Sequence, residues 1–77
     1  MTEQDFDDLV KQATAVDMEI ARCETKVRAL WADIRRHTRL GNAASTQYQR
    51  LVVMENQLGR WKLLRERIRA TLARAGK

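Results

Sequence analysis

Residues 6–37 read FDDLVKQATAVDMEIARCETKVRALWADIRRH, and this stretch decides the fold. Taken at alternating steps of three and four, it yields Phe6, Leu9, Ala13, Val16, Ile20, Cys23, Val27, Leu30, Ile34 and His37. Eight of these ten are aliphatic or aromatic, the exceptions being Cys23 and His37. That spacing keeps side chains on one narrow face of an α-helix. No Gly or Pro interrupts the run, and charged residues such as Asp17, Arg22, Lys26 and Asp33 fall between the seam positions. The stretch is a long amphipathic helix with a seam, and a seam needs a partner.

The partner lies further along the chain. Leu51, Met54, Leu58, Trp61, then Leu64 or Arg65, then Ile68, Leu72 and Ala75 repeat the alternation, with a drift in register near Leu64. Between the two runs, Leu40-Gly41-Asn42 reads as a helix stop. Gly41 tolerates the left-handed conformation that ends helices, and Leu40 is expected to close the hydrophobic contact there. Thr2 with Asp5 is a plausible cap for the first helix, and Thr46 with Gln49 reads as a capping box for the second. The expected fold is all-α, an antiparallel two-helix hairpin with a coiled-coil-like seam. Its helices are expected over about residues 3–39 and 44–74, with a turn over about 40–43, in a single unit spanning 1–77.

Within that hairpin, Leu30 and Ile34 are expected near Leu51 and Met54, and Phe6 and Leu9 toward Ile68 and Leu72. Gly59 falls inside the second helix, where glycine costs about 1 kcal/mol relative to Ala. Its missing side chain invites close approach of the Trp61 ring or of a partner backbone. His37, near the end of the first helix, is expected to help satisfy terminal carbonyls, and Cys23 to be a small buried hydrophobe.

Composition narrows the function. The 77 residues carry a formal net charge of +5, unevenly spread: residues 1–40 sum to −1 and residues 41–77 to +6. Acids at the start of one helix and bases at the end of another suit the helix dipole. With one His, one Cys and one Ser, and neither a phosphate loop nor metal-ligand spacing, no catalytic, cofactor or metal site is expected. The opening Met1-Thr2-Glu3-Gln4-Asp5 lacks an apolar signal segment, and no apolar run approaches membrane-spanning length. The expected location is the cytoplasm, with no membrane partner. Arg60, Arg67 and Arg74 recur every seven residues on one face, and the other bases surround the seam on both sides, as on a solvated coiled-coil exterior. They are expected to face solvent without binding nucleic acid specifically; the alternative reading of the basic second half is a nucleic-acid-binding hairpin.

The apolar inventory exceeds what two paired seams cover. Val10 and Trp31 flank the first seam, and Val52, Val53, Leu63 and Leu64 flank the second. Val10, Trp31, Val52, Leu63 and Leu64 are the expected docking face for a helical protein partner, or for a second copy in a homodimeric four-helix bundle.

Arg39-Leu40-Gly41-Asn42-Ala43, followed by Gln47-Tyr48-Gln49, resembles the YscE family of type III secretion needle co-chaperones. The acidic opening that ends in Asp7-Asp8-Leu9 is similar as well. This chain departs from the family in a longer turn, a more basic second half and two tryptophans. The resemblance implies a non-catalytic bacterial cytoplasmic protein. Such a protein binds a TPR-like partner chaperone and helps keep a needle subunit soluble before export.

Overall fold

A computed structural model describes residues 2–76. It contains two α-helices, α1 (Glu3–Arg39) and α2 (Ser45–Ala75), packed antiparallel along their length. The hairpin measures 58 × 15 × 14 Å, so its long dimension is essentially α1 itself at about 1.5 Å per residue.

The capping chemistry at the start of α1 follows the sequence. Thr2 Oγ1 accepts from the Asp5 amide at 3.2 Å, and the Asp5 carboxylate accepts from the Thr2 amide at 3.3 Å. Two amide donors at the helix start are thereby satisfied. At the other end, Gly41 adopts φ +73°. Its amide donates to Thr38 O at 3.1 Å, and the Asn42 amide donates to His37 O at 2.9 Å. This pair of bonds is a Schellman cap. Leu40 does not close it hydrophobically, as expected from sequence, but is 69% exposed.

The start of α2 departs from the sequence reading. The Thr46/Gln49 box does not form. Ala44 is the N-cap, without a side-chain hydrogen bond. Burial explains the exchange: Ala44 packs with Ile34 and Leu51 where the chain re-enters the hairpin. A small apolar residue fits between the helices there, and packing outweighs the roughly 1 kcal/mol that a polar cap contributes.

The core is the paired seam, in two clusters. Near the turn, Ile34, Ala44 and Leu51 are buried, with Val27 and Leu30 packed against them. Toward the open end, Val16, Ile20 and Ile68 are buried, with Ala13, Leu58, Trp61 and Leu72 around them. Cys23 is buried on the same seam. The drift near Leu64 resolves in favour of Arg65: Leu64 is exposed, and Arg65 is half-buried in the seam with its Nε lacking a hydrogen-bond partner.

The expected position of Phe6 and Leu9 is corrected. Ile68 packs on Val16 and Ile20, about two to four turns deeper along α1 than Leu9 and Phe6. Carried forward, this register sets Ala75, the last residue of α2, beside Val10. The first turns of α1 therefore project past α2, and Phe6 is 40% exposed. Among the described residues, every ion pair lies within one helix. Apolar packing, not charge, joins the two.

A candidate two-sided interaction surface

The two helices leave two long flanks, one on each side of the seam plane. Helix phase of about 100° per residue distributes the side chains between them.

On one flank, Trp31 of α1 meets Tyr48 of α2 edge to face, with ring centroids 6.4 Å apart and planes at 90°. Such a geometry is favourable for aromatic pairs. Val52 follows Tyr48 by one helical turn and is 58% exposed. One-turn spacing thus sets Val52 beside Tyr48 on the flank that carries the Trp31–Tyr48 pair, near the turn. Just behind it the helices are tied together by His37: its Nδ1 lies 2.9 Å from Asp33 O, and its Nε2 lies 3.3 Å from Gln47 Nε2. With Nδ1–H donating to the carbonyl, Nε2 accepts from the Gln47 amide. His37 therefore does not serve the terminal carbonyls, which the Leu40, Gly41 and Asn42 amides take; its ring bonds back to Asp33 O one turn inside α1 and bridges α1 to α2.

The other flank is an open groove of about 1070 Å³. Ala29, Leu30, Val53 and Met54 form its floor, and Lys26, Arg36, Arg39 and Arg50 its rim. A smaller continuation toward mid-hairpin adds Arg22 and Arg60 beside Trp61 and Leu64. The two acids along this flank are already engaged: Asp33 pairs with Arg36, and Glu19 with Arg22 at 2.8 Å. Among the described residues, Lys26, Arg39, Arg50 and Arg60 have no ion-pair partner. On the Trp31 side, by contrast, phase places Asp17, Glu24, Glu55 and Glu66 among Arg28, Arg35, Lys62 and Arg69, a balanced set. The bases thus flank the seam on both sides, as the sequence reading has them, but the groove side alone carries an excess: Arg22, Lys26, Arg36, Arg39, Arg50 and Arg60 against Asp33 and Glu19.

The five docking residues named from sequence are all exposed. They do not form one face. Trp31 and Val52 share the aromatic patch. Val10 lies 21 residues before Trp31, about 30 Å along α1. Leu63 projects from the outer side of α2, in line with Val52 but three turns on. Leu64 lines the opposite groove. Sequence reasoning left Tyr48 out of the docking set because it precedes the seam run. The groove bases were missed because their shared flank depends on how α1 and α2 are phased against each other. Arg60, Arg67 and Arg74 are exposed.

Of the two expectations for Gly59, close approach of the Trp61 ring is corrected: beyond its chain neighbours and its own helix backbone, no atom lies within 4 Å of where a Cβ would be, so the space is open on the hairpin. Among the described residues, no three of His, Cys, Asp and Glu stand together in a way that would hold a metal ion. Nor is any described helix long and apolar enough to cross a membrane. No family model, curated protein or solved structure matches this chain.

Proposed function

We propose that this chain is a small non-catalytic co-chaperone whose hairpin docks on a larger helical protein. In this reading the partner is a TPR-like chaperone of the bacterial cytoplasm, and the pair keeps a type III secretion needle subunit soluble before export. The observation that carries the reading is the Trp31–Tyr48–Val52 patch: aromatic, exposed, and held rigid beside the turn by the Schellman cap and the His37–Gln47 bond. A preorganised aromatic anchor is the usual centre of a binding hot spot. The same turn segment carries the resemblance to the needle co-chaperones.

Trp31 belongs to neither core cluster. Trp31→Ala is therefore expected to keep its helicity by circular dichroism while weakening the partner complex by roughly 2 kcal/mol or more. The test is co-expression with a TPR-like chaperone from the same operon, followed by pull-down of wild type and variant. A wild-type chain that never co-purifies with that chaperone defeats the reading.

A second reading, the self-associating hairpin, has its own observation. Val52 and Leu63 mark an outer stripe of α2, at 58% and 56% exposure, with Gly59 open between them. A second copy packed there builds a four-helix assembly. Sedimentation equilibrium separates the two readings: a dimer that Leu63→Lys dissociates favours self-association.

A further inference from the structure

We propose that the basic groove on the flank opposite Trp31 is a second docking site, and that its occupant is an acidic amphipathic helix of a partner protein. Three observations select that occupant. The floor is apolar, made by Ala29, Leu30, Val53 and Met54 between two near-parallel helix walls. A third helix laid along such a trough completes a three-helix core, reading as anchors at i, i+3, i+4 and i+7. The rim is basic on both walls, Lys26 and Arg39 from α1 and Arg50 from α2, and none of these has an ion-pair partner among the described residues. A helix with acids on both sides of its apolar stripe therefore meets a base on either side. Finally, the charge excess is specific to this flank, since the Trp31 side is balanced. A chain that was basic only for solubility has no reason to segregate its charge.

The dimensions set the length of the occupant. Lys26 to Arg39 spans thirteen residues of α1, about 20 Å. That matches three to four turns of a docked helix. The apolar floor also separates this site from a nucleic-acid track, which aligns bases with polar base-reading groups and stacking platforms. Trp61 lies at the mid-hairpin end of the groove, whereas Trp31 faces the other way.

This placement supplies the assay. In a Trp31→Phe background Trp61 is the only tryptophan left. The probe is a synthetic helical peptide of about 16 residues with a leucine stripe flanked by glutamates, titrated at physiological salt. We expect Trp61 emission to shift and the peptide to bind, with its Glu→Gln counterpart weaker by about tenfold. Lys26→Glu with Arg50→Glu should cost about tenfold or more, and Val53→Ser a similar factor. Arg28→Glu with Lys62→Glu removes equal charge from the other flank and should change affinity by less than about twofold. Circular dichroism confirms that each variant stays folded. Equal losses from the two charge-reversed pairs overturn the site, because attraction is then only global. A single-stranded DNA oligonucleotide that outcompetes the peptide at physiological salt overturns it in favour of nucleic acid. The proposal does not rest on the co-chaperone reading: Trp31→Ala tests that reading on a separate face and should leave peptide affinity within about twofold.

Discussion

The two halves of this hairpin are held by different means. Near the turn, Ile34, Ala44 and Leu51 pack under a Schellman cap, and a His37–Gln47 hydrogen bond ties the helices. Toward the open end, Val16, Ile20 and Ile68 pack without a covalent connection nearby, Arg65 intrudes on the seam, and α1 runs on past α2. In the turn half, short loop closure makes each contact cheap to form. In the open half, the same apolar contacts must offset a larger loss of chain entropy. One apolar seam is thus closed off differently at its two ends, and the turn half, which displays the Trp31 patch and the larger part of the groove, is expected to hold more firmly than the open end.

The sharpest way to break this comparison is a cavity in each half. Ile20→Ala and Leu51→Ala should each cost about 2–5 kcal/mol in chemical denaturation. Hydrogen exchange should then distinguish them: Ile20→Ala exposes amides of residues 3–20 and 65–75 while the turn half keeps its protection. Simultaneous loss of protection everywhere would show one cooperative unit, and the contrast would fall. Next in size is the turn. Gly41 sits at φ +73°, so Gly41→Ala should cost roughly 1–2 kcal/mol and loosen the turn half first. Arg65→Leu acts in the opposite direction. Replacing a seam guanidinium whose Nε is unsatisfied should stabilise by about 1 kcal/mol, with the gain in protection confined to the open half. The smallest expected effect is Gly59→Ala. With open space around the glycine, the change should raise stability by about 0.8 kcal/mol through helix propensity alone. A loss of stability there would mean that a second copy already occupies the space.

How far the sequence reached varies with the range of the interaction. Both helices, the Thr2 cap and the left-handed Gly41 were legible because each depends on neighbours within a turn of chain. The buried set was legible because the period of α1 leaves only one face for Val16, Ile20, Cys23 and Ile34. The candidate site was legible only in its parts. Val10, Trp31, Val52, Leu63 and Leu64 read as surplus apolar residues, and all are exposed. Nothing in their spacing says that Trp31 joins Tyr48 across the turn or that Leu64 falls on the opposite flank.

The sequence by itself determined that this chain makes two amphipathic helices, where they stop, and which stripe of each is apolar. These are consequences of backbone geometry and side-chain period, which are local. Only the tertiary structure decided the register that leaves Phe6 beyond α2, the choice of Arg65 over Leu64 in the seam, the burial of Ala44 in place of a polar cap, and the unmatched excess of bases along one groove. Each depends on the axial offset and rotation of one helix against the other. Those two quantities are set by how the side chains of both seams interlock, and a single helix read alone does not contain them.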